Sequence, residues 1–182
     1  MQLARLTDAA YQIVESDGAD AVTLAAVAKR AGLSRSTLYE YFASRDELIV
    51  AVCEDAVVSW CDRIIRSMTA EADPDAQLRE YVEAQLGAAA DTRHELAMLL
   101  LHSGVSAEGL ARIRDAHAPL RTALMEVLVR MRLAEPERAA VFVQAAVTAA
   151  YEQLQADNTS TDVINDTFSF VSAGLRGLDR SS

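Results

Sequence analysis

Residues 23–45, TLAAVAKRAGLSRSTLYEYFASR, constrain this chain more than any other stretch. Two short helical patterns, 24–31 and 35–42, flank a connection built on Gly32, which is the outline of a helix-turn-helix. Helices that cross steeply over a short link need a small side chain where their backbones approach, and Ala28 supplies it. The first helix must stop at a residue tolerant of positive φ, and Gly32 follows Ala31 as that residue. Leu24, Val27, Leu33, Leu38 and Phe42 recur at offsets that turn apolar groups inward from both helices. Ser34 stands where the second helix needs an N-cap oxygen.

An ordinary helical hairpin in a bundle shares this outline, so the residues around it decide. The run T-L-x-x-V-A-x-R-A-G-L-S-x-x-T-L-Y-x-Y-F-x-S-R-x-E-L, from Thr23 through Leu48, resembles the N-terminal DNA-binding domain of TetR/AcrR-family transcriptional regulators. The resemblance covers roughly the first 50 residues. It implies an all-α chain: a three-helix DNA-binding domain over residues 1–46, then an all-helical ligand-binding and dimerisation domain over 47–182. The implied partners are a double-stranded, palindromic DNA operator, a small-molecule ligand and a second copy of the chain.

Site residues follow in part from geometry. If residues 35–42 enter the major groove, side chains at the helix start reach base edges, which singles out Arg35, Ser36 and Thr37 beside the capping Ser34. By resemblance, Tyr39, Tyr41 and Arg45 fall on backbone-contacting positions, and Thr23 offers a hydroxyl to phosphate. Each has a plainer alternative: Thr23 as a cap alone, Tyr39 packing its ring, Arg45 paired with Glu40 or Asp46. Many relatives carry a basic arm before the first helix, where this chain has only Arg5.

Net charge is −10, an awkward balance for a nucleic-acid binder until its distribution is read. Residues 29–45 hold Lys29, Arg30, Arg35 and Arg45 against Glu40, four minus one or +3, whereas 51–182 hold 12 basic and 20 acidic groups, a balance of −8. Phosphate attraction depends on charge within a Debye length of about 8–10 Å, so the local sign governs.

Periodicity predicts helices over 3–16, 74–90, 93–103, 107–132 (broken or kinked near Ala118 by Pro119), 136–156 and 162–178, with 157–161 a polar loop. Capping boxes at Ser44–Glu47 and Thr92–Glu95 open a long fourth helix and the one at 93. Residues 139–151 are apolar nearly all round, and with the last helix they predict a homodimer interface, a central core helix being the alternative. The resemblance implies a ligand cavity bordered by the fourth helix and those from 74 to 132. Trp60, Tyr81, Met98, His102, Met125, Phe142 and Tyr151 are its candidate lining, with core packing the plainer role for each.

Cys53 and Cys61 lie eight residues apart on one predicted helix, ~12 Å by helical rise, so they read as buried, unpaired thiols. His94, His102 and His117 complete no metal-ligand spacing, and no catalytic residue, metal or cofactor is expected. Met1 leads into an amphipathic pattern without a signal-peptide core, and no apolar run reaches membrane-spanning length, so a cytoplasmic location is expected. The leading reading is a homodimeric repressor released from its operator by a ligand. An all-helical enzyme, such as a carboxylate-bridged metal protein, lacks the Glu-x-x-His pairs it would need. Loss of the Gly32 turn or of Arg35 and Tyr39 would have favoured a helical interaction module without DNA binding, and all are present.

Overall fold

The structure, a computed structural model, describes residues 2–88, 92–157 and 160–179. Side chains at 2, 3, 92, 94, 156, 157, 160, 161 and 179 lie outside the description, and with them two expectations: the Thr92 side of the second capping box and the His94 ring. Among the described residues every regular element is helical: α1 (Gln2–Asp17), α2 (Leu24–Arg30), α3 (Arg35–Tyr41), α4 (Arg45–Ala70), α5 (Pro74–Gly87), α6 (Thr92–His102), α7 (Ala107–Asp115), α8 (Ala118–Arg130), α9 (Pro136–Asp157) and α10 (Ser160–Asp179), with a 3-10 turn at Ala19–Ala21. They form two compact units, residues 1–60 with 91–117, and residues 61–90 with 118–182.

The first unit is built around α1. Leu6, Ala9, Ala10, Ile13 and Val14 recur at helical spacing and are all buried, and Gly18, at φ 85, ends the helix. α2 and α6 pack on α1. Val27 from α2, Leu38 from α3, Leu48 and Val52 from α4 and Leu100 from α6 close one continuous core with Leu6. Burial of each such side chain is worth about 1.5–3 kcal/mol. Cys53 belongs to this core, its thiol facing the Ala97 carbonyl at 3.7 Å.

α6 and α7 therefore pack with the first three helices, and the compact unit does not stop at residue 46. The reason is apolar surface: α1 has a face left over from α2, and Leu96, Ala97 and Leu100 of α6 help to close that core. Gly109 in α7 marks a close approach to α4, since a Cβ placed there would lie 2.4 Å from Val50 Cγ2.

In the second unit, α5 is the hub, contacting α8, α9 and α10. Asp73 caps it by accepting from the Ala76 N–H at 3.1 Å, and Pro74 occupies its first turn, where no N–H is missed. Leu78, Val82 and Leu86 are buried, as are Ile64 and Met68 of α4, Leu124 and Leu128 of α8, and Val143 and Val147 of α9. Along the same helix Gln77, Tyr81 and Gln85 form a buried polar row at i, i+4 and i+8. Gln77 donates to the Glu71 carbonyl at 2.6 Å and accepts from Arg130; Tyr81 donates its hydroxyl to Gln144 Oε1 at 2.8 Å.

The break or kink expected near Ala118 in the 107–132 pattern is a break into two helices. Ala116 and His117 separate α7 from α8, and Pro119 sits in the first turn of α8 rather than inside a continuous helix. Its ring would clash with the preceding turn, so the chain restarts the helix instead of kinking it.

Candidate nucleic-acid interface

The α2–α3 pair is positioned by interactions that are almost all local. The Ala26 N–H donates to Thr23 Oγ1 at 3.1 Å and the Thr37 N–H to Ser34 Oγ at 3.0 Å, so each helix begins on a hydroxyl cap. Between them the Gly32 N–H reaches the Lys29 carbonyl at 3.3 Å and the Leu33 N–H reaches Ala28 at 2.9 Å, with Gly32 at φ 67. This paired bonding is a Schellman ending, which needs a left-handed residue at the position glycine holds. Ala28 is buried at the crossing, as the spacing requires.

α3 then presents one polar face. Arg35 and Ser36 are exposed and Thr37 is half-buried. Tyr39 is 47 % and Tyr41 54 % exposed. Arg35 Nη2 donates to the Tyr39 hydroxyl at 3.3 Å, and the guanidinium sits 5.5 Å from the ring centroid. That hydrogen bond is the main reason the Arg35 pKa lies above its usual value, so the side chain is a permanent cation. Ser34 Oγ lies 2.8 Å from Ser36 Oγ and 2.7 Å from Thr37 Oγ1, which gathers three hydroxyls at the start of α3.

Two arginines make contacts within the first unit. Arg5 lies in α1, not in an arm, and its Nη2 donates to the Ala31 carbonyl at 2.7 Å, closing the end of α2. Arg45, expected on a DNA phosphate or paired with Glu40 or Asp46, bonds three carbonyls and a hydroxyl within this unit. Its Nε donates to Val22 O at 2.8 Å, its Nη1 to Ser103 O at 3.2 Å, and its Nη2 to Ala19 O at 2.9 Å and Ser103 Oγ at 3.0 Å. A guanidinium has five N–H donors, and four are committed here.

Asp46, read from the sequence only as a possible partner of Arg45, binds the same region. It accepts from the Ser106 N–H at 2.8 Å through Oδ1 and from the Ser106 hydroxyl at 2.8 Å through Oδ2. Ser44 caps α4, the Glu47 N–H donating to Ser44 Oγ at 3.1 Å, and Glu47 Oε2 accepts from the Ala43 N–H at 2.6 Å, one residue before the cap.

Trp60, Met98 and His102 lie in the first unit, Tyr81, Met125, Phe142 and Tyr151 in the second. Trp60 stacks edge-on against His117 at 5.9 Å, and His102 Nδ1 lies 2.7 Å from the Met98 carbonyl on its own helix. Phe142 is on an outward face with Val141 and Phe170, which are 65 % and 72 % exposed. Phe142, Phe170, Ala146, Gly174 and Leu178 border a groove of about 370 Å³ between α9 and α10. Among the described residues no three His, Cys, Asp or Glu side chains cluster as metal ligands would, and no helix is long and apolar enough to cross a membrane.

Residues 6–52, which span α1 to the start of α4, match the family model described as bacterial regulatory proteins, tetR family. These residues are therefore similar to the tetR family. Curated relatives that the chain resembles include the HTH-type transcriptional regulator BetI of Rhizobium meliloti, 33% identical over 79 residues (43% of this chain and 37% of that protein). BetI of Paraburkholderia phymatum is 34% identical over 82 residues, 44% of this chain and 42% of that protein. The chain thus spans about two fifths of the length of these relatives. Over its whole length it shares a fold with a transcriptional regulator from Rhodococcus sp. Rha1, at TM-score 0.76 and 21% identity, covering 98% of each chain. A second neighbour is the regulator FadR from Bacillus subtilis in complex with stearoyl-CoA, at TM-score 0.75 and 14% identity, covering 94% of this chain and 98% of that one.

Proposed function

We propose that the chain is a DNA-binding transcriptional regulator, not an enzyme, that binds a palindromic operator as a homodimer in the cytoplasm and leaves it when a small molecule binds its C-terminal helices. The observation that carries this reading is the exposed polar face of α3, with Arg35, Ser36 and Tyr39 outward on a helix fixed by the Gly32 turn and the Ser34 cap. In the major groove, Arg35 would read guanine through two N–H donors, while Thr23, Tyr39 and Tyr41 would hold phosphates and fix the register. Glu40, also exposed, would accept from a cytosine amine.

The dimer would form through the apolar α9–α10 face. Phe170 and Val141 are costly to leave in water, and Ala145, Ala146 and Gly174 let helices approach closely. A ligand would act by favouring a placement of α4 that takes the two reading helices off the spacing of successive major grooves, roughly 34 Å. A structural neighbour is a regulator holding stearoyl-CoA, which supports a ligand-responsive reading for this fold. Repression is the proposed sign of control.

Selection of bound sequences from a random duplex pool tests the reading. A palindromic winner with half-sites one helical turn apart is expected. Recovery of no preferred sequence by the folded chain would overturn it.

A further inference from the structure

We propose that Arg45 and Asp46 set operator affinity without touching DNA, by clamping the joint between α3 and α4 to the turn between α6 and α7. This goes beyond the DNA-reading assignment and rests on it. Both residues occupy the first turn of α4, one to two positions after the Ser44 cap, and both bond across to residues 103–106. Arg45 does more than bridge two elements. Its fork also holds the Ala19 and Val22 carbonyls, which bracket the 3-10 turn leading into Thr23 and α2. One side chain thus ties the entry to α2, the start of α4 and the end of α6.

The chemistry favours a clamp over a phosphate contact. All three backbone acceptors are carbonyls fixed by their own helices or turns, and a guanidinium satisfies them at once through a planar array of donors that an ammonium does not have. Ser103 is itself held, donating its hydroxyl to Leu100 O at 2.7 Å and its N–H to the same carbonyl at 3.0 Å. The Asp46 carboxylate engages Ser106 twice, and the Ser106 hydroxyl is in turn the acceptor that caps α7 at the Gly109 N–H, 3.1 Å away. The position of α3 against DNA is then set by residues about 60 places further along the chain.

A phosphate-contact role and a clamp role predict opposite results. Loss of a phosphate contact lowers the slope of log K against log salt by about 0.9, and lysine largely replaces arginine. Loss of the clamp lowers affinity for the selected operator by about tenfold or more while leaving the salt slope unchanged, and lysine fails to rescue it. Asp46→Ala separates the two roles by sign: removing a carboxylate next to phosphates raises affinity by charge alone, whereas losing the Ser106 anchor lowers it.

The experiment is a fluorescence-anisotropy titration of full-length wild type, Arg45→Ala, Arg45→Lys and Asp46→Ala on the selected operator at several salt concentrations, with circular dichroism confirming the fold. Amide hydrogen exchange without DNA supplies a second arm. There the clamp predicts faster exchange at Val22, Ser103 and Ser106 together in Arg45→Lys. A shallower salt slope in Arg45→Ala, rescue by lysine or tighter binding by Asp46→Ala would overturn the proposal. So would unchanged exchange at Ser103 and Ser106, and that arm stands even where the wild-type chain selects no DNA, an outcome that would sink only the DNA-reading assignment.

Discussion

Replacing Gly109 with alanine sets two physical effects of opposite sign against each other. Helix propensity alone favours alanine by about 0.8–1 kcal/mol in a helix interior, and by less here, in the first turn of α7. Packing opposes it. The new methyl would lie 2.4 Å from Val50 Cγ2 and 2.8 Å from Val105 Cγ1. Val50 is 1 % exposed and β-branched, so it has neither space nor a second easy rotamer into which to withdraw. Overpacking of this kind costs about 1–3 kcal/mol, which leaves a net loss of about 1–2 kcal/mol and a roughly 5- to 30-fold lower folded-to-unfolded ratio. Val50→Ala alone removes two buried methyl groups at about 0.8 kcal/mol each and leaves a cavity, for about 2–3 kcal/mol. In the double variant the alanine methyl fills the space that Val50 vacates, so the losses are less than additive by about 1–2 kcal/mol. Trp60, the only tryptophan, lies in the same unit and packs on His117, so its fluorescence reads this unit during urea unfolding of all four chains. A Gly109→Ala chain at least as stable as wild type, or additivity within about 0.5 kcal/mol, would refute the close approach of α7 to α4.

Arg35→Ala is expected to abolish sequence preference with fold and dimer intact, and full preference in a gel-shift titration at fixed salt would remove Arg35 from the reading face. Phe170→Asp places a charge on the side chain that is 72 % exposed at the α9–α10 face, and light scattering should show a dimeric wild type and a monomeric variant; a variant that stays dimeric would place the interface elsewhere. Burial pushes the Cys53 thiol from an ordinary 9.0 to about 12, the Cys61 thiol to about 11, and the Tyr81 phenol from 10.0 to about 12. The unfolded chain loses these protons first as pH rises, so this contribution to stability is complete below about pH 9 and lost progressively between there and about 12. Both thiols should also resist a disulfide reagent at pH 8 until urea unfolds the chain, and fast native-state labelling would contradict their burial.

What the sequence reveals about this chain depends on how far apart the interacting residues lie. Thr23, Gly32, Ser34, Ser44 with Glu47, Asp73 with Pro74, and Ser106 act on atoms within about one helical turn of themselves, and residue type at fixed spacing is enough to read them. The dense apolar pattern of the last two helices was legible for the same reason, since faces follow from period alone. Arg45 is different. Its acceptors lie 23, 26 and 58 residues away, and nothing local separates a guanidinium that binds carbonyls from one that binds phosphate. The one available signal was arginine itself, whose planar fork suits several fixed acceptors as lysine does not. The ligand-lining candidates were chosen by side-chain type, which carries no information about which helices meet, and they divide between two units. The polar row of Gln77, Tyr81 and Gln85 was visible as an i, i+4, i+8 series, but it falls on a buried face only because α8 and α9 bring Arg130 and Gln144 to meet it. A helix face is written in the sequence, whereas the partner of that face is written in the packing. The clamp at residues 45 and 46 belongs to the second kind, which is why a segment readable as a DNA reader contains two side chains that serve it from behind.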